Sequence, residues 1–133
     1  MIQDLPAKSC FDLREADPGI VHIDARSETE FLSGRAAGAW NVPYAGNPRF
    51  LAGVSALAPE RARRVVVDGD RAACAALEAA GWTLVVWLRG GFAGSRDAEG
   101  RLLEPGWEGA GLPVERGDGP RDWPAVSALV GNG

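Results

Sequence analysis

Three short runs in this chain are apolar at every position rather than at alternate ones. They are Gly19-Ile20-Val21-His22-Ile23-Asp24 (apart from its ends and one histidine), Arg64-Val65-Val66-Val67-Asp68 and Thr83-Leu84-Val85-Val86-Trp87-Leu88. A strand with one face in water alternates, whereas one covered on both faces reads as a continuous β-branched run. Each run is bounded by turn residues or charge, as in Asp17-Pro18-Gly19 before the first. A fourth, shorter strand is expected at Ala39-Trp40-Asn41-Val42, stopped by Pro43.

Helical segments fall between these runs. The first is expected from Pro6 to Ala16, with proline in its first turn. Ser27 and Glu30 have the spacing of a capping box ahead of Phe31-Leu32, and Gly34 ends that helix. Pro48 to Leu57 is a third. Arg71 to Ala80 is the best defined, with Asp70 as N-cap, an Ala-rich face and Gly81 as its stop. Strands alternating with helices predict an α/β fold: a mostly parallel central sheet of about five strands, flanked by helices on both faces. Residues 95 to 105 are polar and punctuated by glycine, which suggests an inserted hairpin or ordered loop. One domain is expected over residues 1–115, followed by a C-terminal tail over 116–133. In that tail a short helix from Trp123 to Val130 is expected to dock Trp123 and Leu129, with Trp123 also a candidate interface anchor.

Composition narrows the function. The 133 residues carry 14 basic and 18 acidic side chains, a formal net charge of −4, with no basic cluster. No nucleic-acid partner and no membrane-surface partner is expected on that charge. The two cysteines, Cys10 and Cys74, and the single histidine, His22, make neither a zinc set nor a disulfide framework. A reducing, cytoplasmic setting fits this usage. The first twenty residues carry charges throughout and lack the apolar core of a signal peptide, and no membrane span is expected. No cofactor is indicated.

Four segments, in order, carry a resemblance. Ile23-Asp24-Ala25-Arg26 is followed by Glu30-Phe31 and Gly34. Next comes Gly38-Ala39-Trp40-Asn41-Val42-Pro43. Then Val65-Val66-Val67 precedes the helix that ends Leu77-Glu78-Ala79-Ala80-Gly81-Trp82. Last is Leu88-Arg89-Gly90-Gly91-Phe92, with Trp107 and Gly111-Leu112-Pro113-Val114. Together these resemble the rhodanese-like domain of the sulfurtransferase family over about residues 1–115. The resemblance implies that family's sheet, with Asp24, Arg26, Gly90 and Gly91 as parts of the structural motif.

The sequence departs from the pattern at the position that matters for catalysis. Active members of the family continue the strand that corresponds to Val65-Val66-Val67 into a cysteine, then a loop usually ending in arginine, then a helix. Here Val67 leads into Asp68-Gly69-Asp70-Arg71 and the helix begins, so the loop is several residues shorter and Asp68 stands at the strand end. Sulfur transfer needs a thiolate cradled by inward-pointing amides and a helix N-terminus, which lower its pKa and hold the anionic sulfur. Two carboxylates would instead oppose an anionic donor, at roughly 1–4 kcal/mol per like charge at about 4 Å. The expectation is a domain without sulfurtransferase activity, acting as a binding or regulatory module for a protein or small molecule not named by the sequence.

Two alternatives stand beside it. One is a sulfurtransferase that uses Cys74, with Arg71 as the anion binder. Cys74 and Cys10 both also read as small buried helix residues. The other is an Mg²⁺-dependent acidic site formed by Asp24, Asp68 and Asp70, set against an Asp24–Arg26 ion pair and a helix cap. His22 is expected as a core or edge histidine.

Overall fold

The computed structural model describes residues 1–45 and 48–131. In chain order it runs β1 (Gln3–Pro6), α1 (Ala7–Ala16), β2 (Val21–Asp24), α2 (Glu28–Ser33), β3 (Arg35–Ala36), β4 (Trp40–Asn41), α3 (Pro48–Leu57), β5 (Val65–Asp68) and α4 (Arg71–Ala79). It continues with β6 (Val85–Arg89), β7 (Ser95–Arg96), β8 (Leu102–Glu104), α5 (Gly106–Gly109), β9 (Val114–Glu115) and α6 (Trp123–Val130). The central sheet has five strands in the order β1-β6-β5-β2-β4, with every pairing parallel.

The sheet is covered on both faces, which is why its inner strands carry apolar residues at consecutive rather than alternate positions. Val65 and Val67 project into one core with Phe50 and Val54 of α3, Cys74 and Leu77 of α4, and Val126 of α6. Val66, between them, projects into the other with Cys10 of α1, Phe31 of α2 and Trp107 of α5. One-residue alternation along β5 therefore feeds two separate cores.

β1 is the strand that the sequence pattern does not announce. Gln3-Asp4-Leu5-Pro6 is half polar, yet it pairs along its length with β6. It lies at the sheet edge and ends in proline, where a lost ladder hydrogen bond costs nothing.

Capping at α2 and α4 follows the sequence. Ser27 and Glu30 form the full reciprocal box, and Asp70 accepts from the Ala72 N–H at 2.9 Å. Residues 95–105 form an antiparallel two-stranded hairpin, β7 with β8, tied back to the body by an Arg89–Glu104 ion pair.

The segment after residue 115, expected as a tail, packs onto the body. Gly117 N–H donates to the Leu32 carbonyl, Asn41 N–H to that of Arg121, and Val126 is buried against α3. Within α6 the inward positions are Trp123 and Val126, three residues apart on one face. Leu129, expected to dock beside Trp123, lies off that face and is 58% exposed. Residues 132 and 133 of the expected tail lie outside the described residues. Among the described residues no helix is long and apolar enough to cross a membrane.

Candidate functional site

The carboxyl ends of β2, β5 and β6 meet at one edge of the sheet, where open α/β folds place their ligands. Asp24 ends β2 and Asp68 ends β5; they are register partners, and both side chains are buried. Asp24 is fully engaged. Its Oδ1 accepts from Arg26 N–H and Nε–H, both at 3.0 Å, and its Oδ2 accepts from Arg26 Nη2 at 2.7 Å. The same Nη2 reaches the Gly34 carbonyl at 2.7 Å, and the guanidinium lies 5.0 Å from the Phe92 ring centroid. Asn41 Nδ2 ties the backbone in place by donating to the carbonyls of Asp24 and Arg26.

Asp68 is only half satisfied. Its Oδ1 accepts from the Phe92 N–H at 3.2 Å, while its buried Oδ2 has no partner. Burial, followed by the charge of Asp24, pushes the Asp68 carboxyl up to about 7, against the opposing pull of Arg26 and the Phe92 N–H.

The turn that follows is tight. Gly69 has φ +127°, a region that L side chains rarely adopt, and its carbonyl accepts from Trp87 Nε1 at 2.8 Å. Gly91 allows the approach from the other side: a Cβ there would lie 3.0 Å from Asp68 Oδ1. The Gly90-Gly91 pair thus lets the chain after β6 fold over the Asp68 carboxylate. Beside it opens a cleft of about 330 Å³ lined by Arg26, Asp68, Trp87, Gly91, Phe92 and Ser95, among others.

The other candidate residues are not brought into this cleft. Asp70 uses its carboxylate to cap α4. No group of three His, Cys, Asp or Glu side chains able to hold a metal ion occurs among the described residues, so Asp24, Asp68 and Asp70 do not form the acidic centre considered above. Arg71 pairs with Asp4 of β1 at 3.0 Å and does not line the cleft beside Asp68.

Cys74 is fully buried in α4, and burial, opposed by Arg71, pushes its thiol up to about 12. Cys10 is equally buried. Burial and the charge of Asp68 raise it to about 12, and its Sγ points to the Leu5 carbonyl. The proximity of Cys10 to Asp68 had no sequence signal, since the two lie on distant elements.

His22 is buried in β2. Burial first, then the charges of Arg14 and Arg26, lower it to about 3, so the ring is neutral.

The family model described as the rhodanese-like domain matches residues 9–98, and the chain belongs to that family. Solved structures agree on the fold. Rv0390 from M. tuberculosis is 28% identical, with 86% of this chain and 98% of that one covered at a TM-score of 0.64. The rhodanese-like domain of the Alr3790 protein from Anabaena sp. is 23% identical over 87% of this chain and 80% of that one, TM-score 0.65. Thiosulfate sulfurtransferase from Pseudomonas aeruginosa is 23% identical; 96% of this chain aligns with 24% of that one, TM-score 0.65. No curated protein sequence matches the chain.

Proposed function

We propose that this rhodanese-like domain does not transfer sulfur and serves as a binding or regulatory module. The observation that carries this reading is the state of the two thiols. Both are enclosed and held near 12, where the thiolate that would attack a sulfur donor is scarce and has no path to one. The strand end where active relatives present their cysteine carries Asp68 here, and the amides that approach it serve protein carboxylates. Phe92 N–H is taken by Asp68, and Ala72 N–H by Asp70. A thiosulfate anion brought to this edge would meet carboxylates in place of a cradle.

The cleft beside Asp68 is the surface we assign to a ligand or partner. The free, buried cysteines fit a reducing, cytoplasmic compartment. The test offers the purified protein thiosulfate and cyanide. Thiocyanate should form no faster than with a variant lacking both cysteines. Production well above that control, or a single-sulfur adduct on Cys74 in the folded protein, would reject the reading.

A further inference from the structure

At the opposite edge of the central sheet, where β2 and β4 begin, the structure holds a second cleft of about 400 Å³. Two guanidinium groups belong to it. Arg14, from α1, is held from several sides: Nη1 lies 3.0 Å from His22 Nδ1, Nη2 donates to the Ala37 carbonyl at 2.6 Å, and the group sits over the Trp107 ring at 5.1 Å. Glycine at position 38 makes this possible, since a Cβ there would lie 2.7 Å from Arg14 Nη2.

Arg121 arrives from the segment before α6, beyond the residues that match the family model. Its carbonyl accepts from the Asn41 N–H at 2.9 Å, and its guanidinium lies over Trp40 at 5.4 Å.

Neither guanidinium enters an ion pair among the described residues. They are close enough that the charge of Arg121 adds to burial in lowering the pKa of Arg14. The neighbouring acids have other duties. Asp17, on the rim, accepts from the Gly19 N–H at 2.9 Å. Glu115 accepts from the Gly38 N–H at 3.1 Å and faces Arg35, while Glu15 is exposed. Both glutamates reach Arg14 through their charge.

The wall of the cleft adds a buried polar group. His22 is 2% exposed and lines the cavity. With Arg14 donating to Nδ1, the ring proton is assigned to Nε2, which has no partner.

Two cations that line one cleft, one of them held by several contacts, repel each other, and an anion between them relieves that repulsion. Guanidinium forks match the oxygen spacing of phosphate and bind it through paired charge-assisted hydrogen bonds. We propose that this cleft binds a doubly charged oxyanion of the phosphate type between Arg14 and Arg121, as a free ion or as the head of a small phosphomonoester. The site lies at the other end of the strands from Asp68 and stands independently of whether the domain transfers sulfur.

The test titrates the full chain with inorganic phosphate and, separately, with glycerol 3-phosphate, at ionic strength held constant with chloride. Binding is read from the ¹H–¹⁵N signals of arginine Nε–H and tryptophan Nε1–H. Saturable shifts in the Arg14, Arg121, Trp40 and Trp107 signals are expected with at least one probe. Tighter binding of glycerol 3-phosphate supports a phosphomonoester, and equal binding supports the phosphate group alone.

Arg121→Gln removes one fork from a half-buried position outside the core. It should weaken binding about tenfold or more. Arg121→Lys should fall between, and Arg101→Gln in the β7–β8 hairpin should change nothing. Absence of saturation with both probes, or equal affinity in Arg121→Gln, would overturn the proposal. If Arg121→Gln does not fold, the localisation of the shifts in the parent protein decides: spread over the whole surface, they would overturn it too.

Discussion

Asp24 and Asp68 stand opposite one another across β2 and β5, both buried, in the field of a single guanidinium, that of Arg26. Arg26 makes all its short contacts with Asp24 and the Gly34 carbonyl, so Asp68 is left with one amide and a raised pKa. The strand end is therefore a place where charge is stored against solvation, and stability should depend on pH through it.

The Asp68 carboxyl titrates near 7 in the folded protein and near 3.8 when unfolded. The folded state holds more protons across that interval. Its stability should fall as pH rises from about 4 to about 7, with the full cost of the buried charge present above that. Asp68→Asn keeps an acceptor for the Phe92 N–H and removes the charge. It should abolish this slope and exceed the parent protein above pH 7 by on the order of 2 kcal/mol. Urea unfolding across a pH series is the measurement; parallel profiles for the two proteins would contradict it.

Arg26 is the compensating cation, and deleting it leaves two neighbouring buried carboxylates. Arg26→Ala should cost about 3–5 kcal/mol at pH 7.5, the range for breaking a buried pair from one side. Arg26→Lys keeps the charge but loses the fork that spans Asp24 and Gly34, and should fall between. If Arg26→Ala loses less than about 1 kcal/mol, the pair behaves like a surface contact.

The thiols give a kinetic prediction. Both sulfurs are enclosed and both are raised to about 12, so an aromatic disulfide reagent should label neither in the folded protein near neutral pH. Labelling should appear with urea along the global unfolding curve. Fast labelling of Cys74 before unfolding would instead make it a surface thiol and reopen sulfur transfer through it.

Local rules carried much of the fold. The unbroken apolar runs give the inner strands, Ser27 and Glu30 give the start of α2, and Asp70 gives that of α4, because each depends only on residues nearby in the chain. What was hidden depends on contacts between distant segments. β1 is recognised by the edge it pairs with, not by its own pattern. Asp68 could be read as a strand end, but its bond to Phe92 and its effect on Cys10 needed β5, β6 and α1 to be brought together. Arg14 and Arg121 are 107 positions apart in sequence, so nothing local hinted that they share a cleft. Leu129 shares a short helix with Trp123 and Val126, but six residues from Trp123 it lies about 120° round the helix and is left exposed.

Helix α3 holds a glycine whose value can be isolated by a double-mutant cycle. Gly53 lies mid-helix, where alanine is ordinarily better by about 1 kcal/mol. Here the helix sits so close to the sheet edge that a Cβ at 53 would lie 2.7 Å from Val42 Cγ1, and Val42 is fully buried. The overlap should reverse the sign: Gly53→Ala is expected to destabilise by about 1–3 kcal/mol, the range for overpacking. Val42→Ala alone opens a small cavity and should also destabilise. In the double variant the new methyl enters the space that the valine vacates, so the combined loss should be smaller than the sum by about 1 kcal/mol or more. Strict additivity in urea unfolding would mean that α3 shifts away from Val42, and that its contact with the sheet is looser than the packing of Gly53 implies.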